Sequence, residues 1–439
     1  MEIERSAILQ LENWKNSKNR KPLIVQGARQ VGKTWLIKKF GRDYFDGFAY
    51  FNFDEEPGLK QFFSQTKDSK QLLQFLTSVH GKPILPEKTL IFLDEIQECK
   101  DALNSLKYFC ENAPEYCIIS AGSLLGVAMN QGASFPVGKV DFMTLYPIRF
   151  VEFLKFANSN LHTYLVEKSD LEPIPDIFFH QLVELFKSYF ISGGMPESIL
   201  ALLEQKDMEA VQQSLRNILN SYQLDFSKHV ENKLIPKIAH VWDSIPSQLA
   251  KENKKFVYQL VHTGARAREY EDALLWLSQA GLIHRIFCSK KPGLPIKAYD
   301  DLSAFKIYMN DVGLLRRLSA LDPRAISEGN RLFTEFKGAL TENFVAQSFI
   351  AQFEETPRYW TSDFQAEIDF LIQYKNEIIP IEVKSDSTIQ SKSLSFYDKK
   401  FEPKIRLRYS LKNLQKDGNL INIPLFMVDF SKRILDKEI

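Results

Sequence analysis

Eight consecutive residues carry the most specific chemistry in the chain: Gly27-Ala28-Arg29-Gln30-Val31-Gly32-Lys33-Thr34. Glycines at this spacing allow a tight loop whose backbone N–H groups converge on phosphate oxygens. The lysine reaches the outer phosphates and the Thr34 hydroxyl is a ligand for Mg²⁺. The apolar run Leu23-Ile24-Val25-Gln26 ahead of the loop reads as a strand. Trp35-Leu36-Ile37-Lys38-Lys39-Phe40 behind it reads as a helix whose positive dipole end faces the anion. The pattern is a complete Walker A loop and predicts binding of a nucleoside triphosphate by residues Gly27 through Trp35. A glycine turn with an incidental lysine is the bland alternative, and the strand before and helix after argue against it.

A second constellation follows. Thr89-Leu90-Ile91-Phe92-Leu93-Asp94-Glu95 is a buried parallel strand ending in two acids, at the end of a strand where ligands lie in doubly wound sheets. Alone it reads equally well as a solvated strand end. Downstream of a Walker A it reads as a Walker B, with Asp94 holding Mg²⁺ through water and Glu95 activating the attacking water. A third strand, Tyr116 to Ser120, ends in Ser120-Ala121-Gly122-Ser123. Ser120 is either a polar sensor of the γ-phosphate or part of a serine-rich turn.

The C-terminal quarter holds another set of charged groups. A helix over 338–350 carries Glu342, and two strands joined at the polar turn Tyr374-Lys375-Asn376-Glu377 carry Asp369, Glu382 and Lys384. Alternation puts Ile368, Phe370 and Ile372 on one face and Asp369 on the other, and it sets Glu382 and Lys384 on a common face. Glu342, Asp369 and Glu382 would make an oxygen-rich Mg²⁺ site for phosphodiester chemistry, with Lys384 positioning the nucleophile. Glu-x-Lys by itself is more often a salt-bridged strand. The basic stretch Lys399 to Arg408 reads as a backbone-tracking surface or a solvated strand face.

Elements that must position these groups can be read along the chain. A helix over 1–20 with Ile8, Leu9 and Leu11 on one side leads to the first strand. Residues 48–54 form another strand, and 59–80 a helical stretch with Leu72, Phe75, Leu76 and Val79 in period. Residues 150–220 are helical and aromatic-rich, interrupted by a hinge or tight turn at Ile191-Ser192-Gly193-Gly194-Met195-Pro196. A winged helix is expected over 234–310. A short helix starts at Ile245-Pro246-Ser247, a second helix has Arg266 and Arg268 near its N-terminal end, a strand follows over 281–287, and Lys290-Lys291-Pro292-Gly293 is a basic wing tip. In helix-turn-helix proteins that second helix enters the major groove, so Arg266 and Arg268 are the candidate nucleic-acid contacts. A protein–protein joint with a solvated arginine pair is the competing reading.

The whole is an α/β chain: a three-layer P-loop NTPase sandwich over 1–155, a helical lid or linker over 156–233, a winged helix over 234–325, and an α/β nuclease-like domain over 326–439. At 439 residues, 44% hydrophobic and 25% charged, the composition suits a multidomain globular protein. A net charge of +1 confines any nucleic-acid surface to a local patch. The four cysteines show no C-x-x-C spacing, which argues for reduced thiols and against a zinc site or disulfide framework. The charged N-terminus lacks a signal-like apolar segment, and no apolar run approaches the ~18 residues of a membrane span, so a cytoplasmic location is expected.

Together these segments resemble a large family of prokaryotic AAA-type predicted ATPases whose C-terminal domain is similar to restriction-endonuclease-like (PD-(D/E)xK) nucleases. The resemblance rests on Gly27–Thr34, Leu90–Gln97, Ser120–Ser123, the segment 147–154, Gly193-Gly194-Met195-Pro196-Glu197, the segment 308–315, Glu342–Val345, Glu367–Phe370 and Ile379–Lys384. It implies ATP binding by Gly32, Lys33 and Thr34, handling of Mg²⁺ and water by Asp94 and Glu95, and a sensor at Ser120 or Ser123. It further implies a nuclease-like metal site at Glu342, Asp369, Glu382 and Lys384. Two positions depart from the family pattern. Gly138-Lys139 stands where Gly-Arg is usual, so a finger reaching a neighbour's γ-phosphate would lack the bidentate fork. Arg149 stands where a small residue is more usual.

The expectation is an ATP-hydrolysing, Mg²⁺-dependent, homo-oligomeric and DNA-associated enzyme whose nucleotide state controls the C-terminal domain. The alternative is a signalling or scaffold ATPase whose nuclease-like domain recognises without cutting. A small-molecule kinase fits less well, because the Asp94-Glu95 pair suits water activation better than transfer to a metabolite.

Overall fold

In a computed structural model the chain is described over residues 2–123, 138–251, 254–329, 334–362, 365–385 and 392–439. It divides into two compact units. One comprises Glu4–Tyr146 with Gln279–Leu282, the other Pro147–Ser278 and Ile283–Ile439 with Met1–Ile3. The expected boundaries at 233/234 and 325/326 both fall inside the second unit. No described helix is long and apolar enough to cross a membrane.

The first unit is built on five strands: β1 (Leu23–Gln26), β2 (Gly47–Asn52), β3 (Thr89–Asp94), β4 (Cys117–Ala121) and β5 (Asp141–Thr144). They pair in the order β2-β3-β4-β1-β5, all parallel. Helices α1 (Ala7–Lys15), α2 (Lys33–Tyr44), α3 (Pro57–Gln65), α4 (Ser69–His80) and α5 (Lys100–Asn112) accompany the sheet. Strands β3 and β4 are buried at every residue, as a parallel strand covered on both faces must be. Ile91, Leu93 and Ile118 pack with Leu72, Leu76, Leu106 and Phe109 in the core. Inserting β4 between β1 and β3 sets Ser120 beside Ile24 on one side and Leu93 on the other.

Two helical expectations need correction here. The first helix buries Ala7, Leu11 and Trp14, while Leu9 is exposed. At 100° per residue Leu9 lies about 200° from Leu11, so the two cannot share a face. The stretch 59–80 is two helices, because Asp68 caps the second by accepting from the Lys70 N–H at 3.0 Å. Such a local side-chain bond competes with a continuous helical ladder.

The second unit begins with helices α6 (Phe150–Ala157), α7 (Ser159–Glu167), α8 (Asp176–Ser192), α9 (Pro196–Leu200), α10 (Met208–His229), α11 (Ile235–Leu249) and α12 (Ala267–Gln279). The hairpin β6 (Ile283–Ser289) and β7 (Asp300–Met309) follows, then α13 (Val312–Leu318) and α14 (Thr334–Gln352). After them come β8 (Arg358–Ser362), β9 (Ala366–Tyr374), β10 (Glu377–Val383), α15 (Lys392–Phe401), β11 (Arg406–Ser410), β12 (Gln415–Asp417), β13 (Leu420–Pro424) and α16 (Ser431–Glu438). The eight strands form one mixed sheet in the order β12-β13-β11-β10-β9-β8-β6-β7. The expected β9–β10 hairpin is present with Tyr374 opposite Glu377, Lys375 taking a positive φ in its two-residue turn.

Helix α11 runs through Pro246, where a new helix was expected to start; the proline lacks one N–H but its φ suits the helix. The Gly193-Gly194 segment is a packed junction. The Gly194 N–H donates to Asp311 Oδ2 at 2.6 Å, and the Ile148 N–H donates to the Gly194 carbonyl at 2.8 Å. A Cβ on Gly193 would stand 2.1 Å from Asp311 Oδ1, and one on Gly194 2.3 Å from the Ile148 oxygen. Asp311 also caps α13 through the Leu314 N–H at 2.9 Å. Two sequence segments of the family resemblance thus meet at one buried carboxylate. Arg149 has a role as well. It precedes α6, and its guanidinium faces buried Asp429, which accepts from the Val151 N–H at 3.0 Å.

Candidate functional sites

At the carboxyl end of β1 the chain turns through Gly27 at φ +150° and Gly32 at φ +95°, with Gln30 also at positive φ. A Cβ on Gly27 would lie 2.2 Å from the Leu145 carbonyl oxygen, so only glycine fits. Lys33 opens α2, is 8% exposed, and donates to the carbonyls of Gly27 at 2.9 Å and Ala28 at 2.8 Å. Burial pulls its ammonium pKa down to about 8, with Glu95 and Asp94 pulling it back up. The lysine therefore waits folded over the loop that a phosphate would fill. Arg29, Gln30 and Trp35 are exposed at the rim.

Thr34 Oγ1 donates to Asp94 Oδ2 at 2.9 Å, and the Glu95 N–H donates to Asp94 Oδ1 at 3.1 Å. Asp94 is 3% exposed and its carboxyl pKa is raised by burial, against the bonds from Thr34, Glu95 and Tyr50 that stabilise the anion. Glu95 sits in the left-handed region, and its carboxylate accepts from Gln97 Nε2 at 2.5 Å. Ser120 is fully buried and its Oγ has no hydrogen-bond partner among the described residues. The oxygen donors Thr34 and Asp94, next to a buried ammonium, fit Mg²⁺ and a triphosphate. Thr34's proton is committed to Asp94, which leaves the hydroxyl lone pairs for a metal.

Sequence reasoning missed three residues around this site. Tyr50 donates to Asp94 Oδ2 at 3.2 Å, and Asn52 Nδ2 donates to the Tyr50 oxygen at 3.3 Å. The alternation of β2 placed these two on one face, but only the β2–β3 register, Asn52 opposite Asp94, reveals what they face. Arg5 donates to the Val31 carbonyl at 3.0 Å and the Tyr146 carbonyl at 2.7 Å, holding the loop from behind. Nothing in the sequence signals that. Lys139, the expected finger position, pairs with Glu111 at 3.0 Å.

In the second unit, α14, β9 and β10 bring the C-terminal carboxylates close, and lysines from elsewhere come with them. Lys254 Nζ donates to Glu342 Oε1, and the Tyr308 O–H to Glu342 Oε2 at 3.2 Å. Burial opposes ionisation of Glu342, but Lys254 and Lys306 outweigh it and hold the carboxyl below its usual range. Lys306, buried on β7, pairs with Glu367 at 2.5 Å. Asp369 accepts from the Val383 N–H at 2.8 Å, and its carboxyl is raised by burial and by the charge of Glu342. Glu382 pairs with Lys384 at 3.1 Å and faces Arg408, its cross-strand partner on β11, at 3.6 Å.

Ammonium groups already stand on Glu342 and Glu367, and among the described residues no group of three His, Cys, Asp or Glu side chains is placed to hold a metal. Sequence spacing found Glu342, Asp369, Glu382 and Lys384 but gave no sign of Lys254 and Lys306. The basic stretch 399–408 is no uniform solvated face, since Arg406 binds Asn419 and Arg408 is buried against Glu382. Arg266 and Arg268 are exposed at the start of α12, and Lys290 and Lys291 are exposed after β6. Helix α12 buries Tyr270, Ala273, Leu274, Trp276 and Leu277 on its other side.

Comparison with known proteins gives three family matches. Residues 19–154 match an AAA domain. Residues 183–325 and 337–426 match two domains of unknown function, DUF8612 and DUF4143. The AAA match thus spans most of the first unit and its Walker loop. A curated uncharacterized protein of Haemophilus influenzae is 24% identical over 188 residues, and the match spans 40% of each chain. Among solved structures, a Walker-type ATPase of Pyrococcus abyssi is 15% identical with a TM-score of 0.43, covering 72% of this chain and 96% of that one. The RuvB Holliday junction branch migration motor of Thermotoga maritima is 13% identical with a TM-score of 0.29, covering 64% and 90%. Scores this low fix neither fold nor function.

Proposed function

We propose that the chain is a Mg²⁺-dependent ATPase of AAA type that associates with DNA, assembles with copies of itself, and uses nucleotide state to control its C-terminal part. The observation that carries the ATPase reading is the meeting of Thr34 and Asp94 at 2.9 Å beside buried Lys33. With triphosphate in the loop, Lys33 exchanges its bonds to Gly27 and Ala28 for phosphate oxygens. Thr34 and Asp94 would hold the Mg²⁺, which shields the phosphate charge when bound. Glu95, released from Gln97, accepts the proton of a water whose oxygen bonds to the γ-phosphorus, while the bond to the β-γ bridging oxygen breaks and ADP leaves.

The test is hydrolysis by the full chain. Lys33→Ala is expected to abolish nucleotide binding, and Glu95→Gln to bind ATP yet turn it over slowly. A near-normal rate in Glu95→Gln removes that residue from the role.

Association with DNA is supported by the exposed Arg266, Arg268, Lys290 and Lys291. DNA-stimulated ATP turnover would be its signature. Assembly would require Lys139 to leave Glu111 if it is to serve a neighbouring copy, and mass measurement with and without ATP tests that.

A second reading of the C-terminal part has a specific observation behind it. Lys254 on Glu342 and Lys306 on Glu367 favour a recognition module that binds without cutting. Mg²⁺-dependent cleavage lost in Glu382→Ala or Lys384→Ala would restore the nuclease reading. Absence of cleavage across single- and double-stranded substrates with Mg²⁺ and Mn²⁺ favours the module.

A further inference from the structure

Tyr50 lies outside the loop and the acidic pair, yet its hydroxyl ends on the carboxylate that both use. Asp94 is held at three points: Thr34 Oγ1 and the Tyr50 O–H both donate to Oδ2, and the Glu95 N–H donates to Oδ1. The phenol is itself supported. Asn52 Nδ2 donates to its oxygen at 3.3 Å, and Lys38 Nζ stands 3.7 Å from the ring centroid. An ammonium over an aromatic face is attracted by the ring quadrupole, so α2 and β2 both fix the ring.

We infer that Tyr50 is a positioning residue for the metal site: its hydrogen bond fixes the Asp94 carboxylate so that Asp94 in turn aims the Thr34 hydroxyl and a metal-bound water. This rests on the ATPase reading and deepens it. The reason is geometric. A carboxylate held only by Thr34 and its neighbour's N–H has a single side-chain donor, one that shifts with the metal it would ligate, so the carboxylate keeps freedom to rotate about its Cβ–Cγ bond. A second donor on Oδ2 removes that freedom. Outer partners of metal ligands commonly contribute about 10- to 100-fold to metal affinity. Tyr50 touches neither substrate nor metal in this account and acts through Asp94.

The experiment uses the full-length chain and the variant Tyr50→Phe, which removes one oxygen and keeps the ring under Lys38. Binding of a fluorescent ADP analogue is titrated without divalent ion and then against Mg²⁺, and Mn²⁺ binding to the ADP complex is followed by electron paramagnetic resonance. The expected result is nucleotide affinity without metal within about twofold of wild type. The Mn²⁺ dissociation constant and the Mg²⁺ concentration for half-maximal effect should both rise about tenfold. Lys38→Met, which loosens the ring without touching the hydroxyl, should shift the metal midpoint in the same direction by a smaller factor. It serves as the second variant if Tyr50→Phe proves unstable. Weakening of metal-free binding as large as that of the metal response would mark a merely structural role and overturn the inference. So would an unchanged Mn²⁺ constant in Tyr50→Phe. Failure of the wild-type chain to bind nucleotide at all would overturn the ATPase reading itself, a distinct outcome read in the first titration.

Discussion

Replacing Lys254 by alanine separates an internal ion pair from a metal site at Glu342. The side chains of Lys254 and Glu342 are 12% and 8% exposed, so solvent screens the pair weakly. Removing one partner of a buried pair leaves an uncompensated charge and costs about 3–5 kcal/mol. Here the Tyr308 hydroxyl at 3.2 Å and the nearby charge of Lys306 continue to support the Glu342 anion. A cost at or below the lower end is therefore expected, about 2–3 kcal/mol. That corresponds to amide exchange in α14 and β7 accelerated about 30- to 150-fold. Exchange is the right assay because a chain with two compact units has no single unfolding free energy. Adding Glu342→Gln to the Lys254→Ala chain removes the orphaned charge and should recover about half of the loss. A metal-site reading expects the reverse. Lys254→Ala would be silent, and Mn²⁺ without nucleotide would protect α14 and β9 in a manner lost with Glu342→Gln. Unaltered exchange in Lys254→Ala refutes the ion-pair reasoning.

Lys33 gives a pH test. Above pH 8 the free protein holds it neutral, and ATP would draw a proton back onto it. ATP affinity should fall between pH 7 and 9, and calorimetry in buffers of different ionisation enthalpy should show net proton uptake at pH 9 but little at pH 7. The sign for folding is opposite to that for binding. The unfolded chain keeps this proton to near pH 10.5, so between 8 and 10.5 it binds more protons than the native state and Lys33's contribution to stability grows with pH. Gly194→Ala would place a Cβ 2.3 Å from the Ile148 oxygen and should destabilise the junction by more than about 2 kcal/mol, seen as faster exchange in α8 and α13. Arg266→Ala with Arg268→Ala should weaken binding of duplex DNA and reduce the slope of log K against log salt by about 2, whatever the sequence of the duplex. An unchanged slope removes α12 from the interface.

What could be read from sequence and what could not divides by the range of the interaction. The meeting of Lys33, Thr34, Asp94 and Glu95 was legible because local spacing sets them at the ends of two strands. Tyr50 and Arg5 were not, because their partners are set by strand register and by a contact between the N-terminus and the segment after β5. The β9–β10 hairpin could be read from alternation and turn residues. The ammoniums on Glu342 of α14 and Glu367 of β9 come from Lys254 and Lys306, far away in sequence, and no motif announces them. Leu9 and Pro246 misled for opposite reasons: three apolar residues in one turn cannot share a face, and a proline does not always end a helix.

The pairing of β6 with β8 at Cys288 and Tyr359, braced by the two-pronged contact of Arg358 with Asp300 at 2.8 and 2.9 Å, makes the β6–β7 hairpin part of a continuous plate. Such a hairpin does not swing as a free finger. Lys290 and Lys291 after β6 and the Lys306–Glu367 pair joining β7 to β9 therefore stand on one sheet.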